Sequence, residues 1–297
     1  MQNVDRETKP SAPLSTGSMA AQATPSLLAR IRWSSRSLGL LLRIGAEHPS
    51  LLWRLFTDNL RYLLVKLRFL PGAAKHVAEV RSAFEANAER GRFQEIWFDA
   101  TDANIILWSV TFSKVFERND KVQILEIGSW EGRSTLFLLT YFTQGHLTAV
   151  DTWAGSAEYE YNATANVRDL ESRFDGNVAV FKDRVTKRKG SSLHVLPQLL
   201  DEDQKFDVIY VDGSHVADDV LRDSIAAWDM LKQAGILIFD DFLWMCYPRF
   251  RANPGWAINT FLKYRAGEYK VLNANYQLIL QKTVTFDDHP ITDFLSV

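Results

Sequence analysis

Val122-Gln-Ile-Leu-Glu-Ile-Gly-Ser-Trp-Glu-Gly-Arg-Ser134 reads as a buried strand, a glycine-bearing turn and the first turn of a helix. The same grammar recurs along the chain. Segments at Val122–Ile127, Leu147–Asp151, Val185–Lys189, Asp207–Asp212, Ile236–Asp240, Tyr269–Leu272 and Gln277–Gln281 read as strands, most of them apolar. Stretches at Ser134–Thr143, Ala163–Asp175, Ser192–Leu200, Asp218–Lys232 and Pro254–Tyr264 predict helices between them. Such alternation specifies an α/β fold built on a doubly wound, mostly parallel sheet of seven strands. Asn273-Ala274-Asn275 leaves room only for a hairpin, so the last strand is expected antiparallel to its neighbour.

With 297 residues and 46% hydrophobic content the chain can bury a large core. A net charge of -2 offers no general attraction to nucleic acid, and none is expected as a partner. The average hides a basic segment. Between Pro25 and His76 nine cations (Arg30, Arg32, Arg36, Arg43, Arg54, Arg61, Lys66, Arg68 and Lys75) face only Glu47 and Asp58. Leu51–Leu70 has helical spacing, followed by helices predicted at His76–Glu89 and Thr101–Phe116. Leu51–Leu70 is expected to pack on the domain or on a second subunit. A basic amphipathic helix on an anionic membrane surface is the sharper alternative. The expected organisation is a disordered, Ser-, Thr-, Ala- and Pro-rich tail at 1–24, a helical extension at 25–95 and the main domain at 96–297. Cys246 is the lone cysteine, so no intrachain disulfide forms. These features predict a cytoplasmic protein. Peripheral contact with the inner membrane surface through residues 25–76, and homo-oligomers, stay open.

Gly128 and Gly132 allow a tight turn and close approach of a ligand to the backbone, but their Gly-x-x-x-Gly spacing lacks the middle glycine of a dinucleotide fingerprint. Glu126 and Glu131 add negative charge there. The pattern disfavours a pyrophosphate and favours a ligand with positive charge, such as the sulfonium and amino groups of S-adenosylmethionine. Ser129 and Ser134 belong to the same turn. Asp151 follows 23 positions after Gly128, where an acid can accept the hydroxyl hydrogens of a ribose. Thr152 adjoins it, and the Trp153 indole could stack on adenine. Gly190-Ser191-Ser192 turns into the next helix, either as a simple cap or facing the adenine region. Packing and capping are the plainer alternatives for each.

Two further strands end in acids, Asp212 in Tyr-Val-Asp-Gly-Ser-His and Asp240-Asp241 in Leu-Ile-Phe-Asp-Asp-Phe. Parallel sheets bind ligands beyond such strand ends. Three carboxylates at one edge repel one another unless a cation joins them, and hard oxygen ligands suit Mg²⁺ or Ca²⁺. His215 lies three residues beyond Asp212 and can serve as a base near neutral pH. Arg249 and Arg251 follow the acidic pair; solvated loop charges are the plainer reading, contacts to an anionic substrate the sharper one.

Taken together, these motifs resemble class I S-adenosylmethionine-dependent methyltransferases over roughly Asp102 to Lys282, in particular the bacterial methyltransferase-24 group that includes macrocin-type sugar O-methyltransferases. Glu126-Ile-Gly-Ser-Trp-Glu-Gly-Arg-Ser is similar to the family's cofactor loop and Val150-Asp-Thr-Trp-Ala-Gly to its ribose segment. Val211-Asp-Gly-Ser-His and Gly235-Ile-Leu-Ile-Phe-Asp-Asp look like its base and metal segments, and Gly190-Ser-Ser looks like the adenine loop of catechol enzymes. Catechol enzymes carry Asp-Asn where this chain has Asp240-Asp241. The resemblance implies a Rossmann-like methyltransferase domain and S-adenosyl-L-methionine held by Glu126, Gly128, Ser129, Gly132, Ser134, Asp151, Thr152, Trp153, Gly190, Ser191, Ser192 and Asp212. It further implies a divalent cation, Mg²⁺, on Asp212, Asp240 and Asp241, and His215 as the base for O-methylation of a sugar, glycan or small phenol. The alternatives are a cofactor-binding protein of different chemistry, of the cephalosporin-hydroxylase-like kind, and a non-catalytic membrane-surface scaffold.

Overall fold

The computed structural model describes residues 27–155 and 167–284, with side chains from residue 35 onward. The tail expected at 1–24, and the first part of the helix expected at Ala163–Asp175, lie outside the described residues. Seven strands form one sheet: β1 (Gln123–Ile127), β2 (His146–Asp151), β3 (Val185–Lys189), β4 (Phe206–Val211), β5 (Leu231–Phe239), β6 (Tyr269–Ala274) and β7 (Leu278–Lys282). Their order is β3-β2-β1-β4-β5-β7-β6. The first five run parallel, and β7 is antiparallel to both β5 and β6. The chain reverses its winding direction at β1, so the loops after β1, β2 and β4 gather at one sheet edge, the place where such sheets bind ligands.

The helices are α1 (Leu27–Glu47), α2 (Pro49–Lys66), α3 (Pro71–Ala88), α4 (Ala103–Phe112), α5 (Arg133–Tyr141), α6 (Leu170–Asn177), α7 (Ser192–Asp201), α8 (Ala217–Met230) and α9 (Pro254–Tyr264). Alternate strand residues feed two cores. In β4, Ile209 and Val211 face the side packed by α7, α8 and α9, while Val208 and Tyr210 face the side packed by α3, α4 and α5. Several expected boundaries move, and two of the shifts follow from strand pairing. The helix expected to run to Lys232 stops at Met230, because Leu231 already pairs with Phe206. The hairpin turn sits at Asn275–Gln277 rather than Asn273–Asn275; Ala274 is buried and pairs with Leu278, and the turn closes through Asn275 N to Gln277 O at 2.8 Å.

β6 is an edge strand, and α2 covers it. Arg54 donates to the Leu272 carbonyl, and the buried Asp58 accepts from Ala274 N at 3.0 Å. These bonds satisfy edge groups that would otherwise be open to another strand. They also fasten α2 to the hairpin that carries Tyr276 and Gln277.

Candidate active site

The turn after β1 keeps its glycines for steric reasons. Gly128 has φ 88°, and a Cβ there would stand 2.0 Å from the Asp212 carbonyl oxygen. The loops after β1 and β4 can therefore touch only with glycine at this position. Asp151 ties the same turn to β2: its Oδ2 accepts Ser129 N at 2.9 Å and Trp130 N at 2.8 Å, and its Oδ1 accepts Trp153 N at 2.6 Å. A carboxylate offers about four lone-pair sites. Three are used, so Asp151 retains capacity for one further hydrogen bond rather than for two ribose hydroxyls.

Glu126 is completely buried beneath this turn. It accepts from Thr135 Oγ1, and its Oε1 has no partner. Burial, opposed by hydroxyls of Ser134, Thr135 and Ser129, pushes its carboxyl up to about 7. Ser129 and Ser134 are thus buried beside Glu126. Gly132 caps α5 with φ 80°. Thr152 Oγ1 accepts Ala154 N at 3.2 Å. Gly190 binds back to the Asp151 carbonyl at 2.9 Å, Ser191 starts α7 with its Oγ 2.7 Å from His194 Nδ1, and Ser192 is half-buried beside it.

Trp153 corrects the expectation of an adenine-stacking indole. It is 5% exposed, its ring 4.9 Å from that of Phe174 and 4.7 Å from Lys187 Nζ, and its Nε1 donates to the Trp130 carbonyl at 3.1 Å. With a left-handed backbone, φ 48°, the side chain turns inward and packs.

The three acids do converge. One carboxylate oxygen from each of Asp212, Asp240 and Asp241 lies within 4.8 Å of the others. Asp240 N bonds to the Val211 carbonyl at 3.0 Å, which brings the ends of β4 and β5 level. Asp241 has φ 54°, a costly conformation for a residue with a side chain, and such strain gathers at functional sites. Its backbone N–H donates to Asp240 Oδ1 at 2.8 Å, and its Oδ2 lies 2.7 Å from His215 Nε2. The His215 ring rests against Trp244, 4.7 Å between centroids.

Sequence reasoning missed Tyr210. Its hydroxyl lies 2.9 Å from Asp212 Oδ2 and 2.5 Å from Asp240 Oδ2, yet a phenol has one proton to give. Its position two residues before Asp212 on a strand puts it on the same face, a period-2 signal already present in Tyr-Val-Asp. Burial and the two acids hold the phenol well above its ordinary range, so it stays protonated. Tyr276 and Gln277 were also missed. They reach Asp241 and Asp240 from the β6–β7 turn, and only the sheet order places that turn beside β5.

Burial first, then Asp240 and Asp241, raises the Asp212 carboxyl far above the usual range; burial and then Asp241 push Asp240 up to about 6. The unfolded chain releases these protons near 3.8, so between about pH 4 and 6 the native state binds more protons than the unfolded one. Stability from this site is therefore present in acid and lost as pH rises through 6. A bound cation would remove that cost. Mg²⁺ is expected to raise the melting temperature at about pH 7.5 but hardly at about pH 5, by about 2–4 °C per kcal/mol of binding linkage. Scanning fluorimetry at the two pH values checks this; equal shifts would contradict it.

A cleft of about 360 Å³ opens one residue beyond His215, lined by Val216, Ala217, Leu221, Arg249, Arg251 and Trp256 among others. Arg251 lies over the Trp256 ring at 5.0 Å.

Residues 125–242, which hold the cofactor turn, the three acids and His215, match the family model described as a methyltransferase domain. The match covers less than half of the chain. Over 137 residues the chain is 26% identical to mycinamicin VI 2''-O-methyltransferase of Micromonospora griseorubida, an alignment spanning 44% of this chain and 29% of that protein. The chain thus matches less than a third of that curated relative's length. Among solved structures, the MycE methyltransferase of the mycinamycin pathway, in complex with Mg, SAH and mycinamycin VI, superposes with TM-score 0.47 at 15% identity, over 72% of this chain and 56% of that one. An O-methyltransferase from Bacillus cereus in complex with SAH gives 0.45 at 17% identity, over 70% and 91%. On the C-terminal side of the matched residues lies a loop that Asn253 organises. Its Nδ2 donates to the carbonyls of Tyr247, Arg249 and Phe250, and its Oδ1 accepts Tyr247 N.

Proposed function

We propose that this chain is an S-adenosylmethionine-dependent O-methyltransferase that uses a divalent cation and acts on a hydroxyl of a sugar, glycan or small phenol. The observation that carries the reading is the convergence of Asp212, Asp240 and Asp241 within 4.8 Å, with His215 2.7 Å from Asp241. The residues fit both groups. Three hard oxygen donors at this spacing suit Mg²⁺, and the shared phenol of Tyr210 marks a place where negative charge lacks compensation. The buried Glu126 Oε1, which lacks a hydrogen-bond partner, fits an ammonium. S-adenosylmethionine supplies an electrophilic methyl group, and the cation supplies a lowered pKa for a nearby hydroxyl.

The chain's own residues do the rest. Asp212, Asp240 and Asp241 would hold the cation, and Asp151 keeps the β1 and β2 loops in register. His215 takes the proton of the acceptor hydroxyl as the oxygen attacks. The 2.7 Å contact between Nε2 and Asp241 Oδ2 fixes the ring. Tyr210, held protonated, steadies Asp212 and Asp240. The mycinamicin relative, a 2''-O-methyltransferase by name, supports a sugar acceptor over a phenol.

A radiolabelled methyl-transfer screen across sugar, phenol and lipid-linked acceptors, with and without Mg²⁺, tests the reading. Label on an oxygen only when Mg²⁺ is present supports it. Binding of S-adenosylhomocysteine without transfer to any hydroxyl would favour a different chemistry on the same scaffold.

A further inference from the structure

Among the described residues, half of the large apolar side chains left exposed fall between Leu38 and Phe69. On α2 they form a stripe. At 100° per residue, Leu52, Trp53, Phe56, Leu60, Leu63 and Leu67 span a face about 100° wide and about 22 Å long. Each is 42–65% exposed. The opposite face, with Leu51, Leu55, Asp58 and Val65, is the one packed on the domain. The first helix prolongs the stripe: Leu38, Leu42 and Gly45 share a face, and a Cβ on Gly45 would stand 3.1 Å from Leu52 Cδ2. A bare apolar face of this size on a folded domain marks a contact surface.

The rims of the stripe decide what it contacts. Arg61 borders one side and Arg68 follows at the end; Arg54, on the same side as Arg61, is held by Asp58, and Lys66, on the other side, pairs with Asp102 at 3.0 Å. From Arg36 to Lys75 seven cations face only two acids, and both acids are matched: Asp58 is buried against Arg54 and the edge of β6, and Glu47 pairs with Arg43 and Lys263. A second copy would add its own Arg61 and Arg68 to the same interface, setting like charges together. Phosphate headgroups would neutralise them while the apolar stripe sinks to the acyl boundary and the long basic side chains reach back up.

We propose that α2, with the adjoining face of α1, lies in the plane of an anionic lipid bilayer. No helix among the described residues is long and apolar enough to cross a membrane, so the contact is peripheral. Its buried face is bonded to the hairpin that carries Tyr276 and Gln277, so the docked helix is fastened directly to an element of the acid site.

Flotation of the full chain with phosphatidylcholine vesicles, with and without phosphatidylglycerol, tests this. Binding to the anionic vesicles is expected, weakened by salt. The double substitution Trp53→Glu with Phe56→Glu should lower the partition coefficient by about tenfold or more without moving the melting temperature, since both side chains face solvent. Arg61→Glu with Arg68→Glu should weaken binding to anionic vesicles alone. Failure to float with either vesicle, equal binding to both, or a dimer that the Trp53 and Phe56 changes split into monomers would each overturn the proposal.

Discussion

His215→Ala is expected to lower kcat by about 10²–10⁴-fold, the usual worth of a positioned general base, while S-adenosylhomocysteine affinity changes by less than about twofold. The separation follows from geometry. His215 stands with Asp241 and Trp244 on the acid side of the site, whereas the cofactor turn is held by Asp151, Gly128 and Gly132. The pH profile gives a second readout, because a loss of base function removes the acidic limb of kcat rather than scaling the whole curve. Isothermal titration with S-adenosylhomocysteine beside steady-state kinetics checks both. Equal loss of turnover and cofactor affinity would mean that His215 is a structural residue.

Exhaustive chelation should abolish turnover, and Mg²⁺ should restore it. The magnitude rests on electrostatics. Without a cation, Asp212, Asp240 and Asp241 are forced within 4.8 Å, and the site relieves the repulsion by holding protons, Asp240 up to about 6. A protonated cluster offers nothing to stabilise an acceptor oxygen as it loses its proton, and a loss of about 10²-fold or more follows from removing one strong electrostatic contact of this type. Cofactor affinity should largely survive chelation, since the turn after β1 is held by Asp151, which is not among the three clustered acids. Full activity in the chelated enzyme would leave the three acids with no part in the chemistry.

Local pattern and long-range pairing divided what could be read from the sequence. β1, β2 and β4 are short, mostly apolar runs and lie within one position of expectation; β3, Val-Thr-Lys-Arg-Lys, matches its expected bounds without being apolar, and β5 starts at Leu231 rather than Ile236. The convergence of Asp212 with Asp240 follows from strand-end chemistry, because adjacent parallel strands end at the same edge. Tyr276 and Gln277 were invisible for the opposite reason. Their approach depends on β7 inserting between β5 and β6, a pairing between distant segments that no local signal encodes. Trp153 misled because a Trp after the ribose acid has the right chemistry for stacking, but a positive φ turns it into the core against Phe174. The N-terminal helices showed their amphipathic spacing. Which face packs was fixed by Asp58 and Arg54, whose partners are backbone groups of β6 more than two hundred residues away.

The measurement that tests the account most directly is calorimetric titration of Mn²⁺, as a spectroscopically and thermally visible stand-in for Mg²⁺, into the chain loaded with S-adenosylhomocysteine. One site per chain is expected, competed by Mg²⁺ and lost in Asp212→Asn and in Asp240→Asn with the melting temperature of the variants preserved or raised, since each change relieves repulsion between buried acids. Undiminished Mn²⁺ binding in both variants, or none in the wild-type chain, would contradict the central claim that these carboxylates hold an ion beside the cofactor turn.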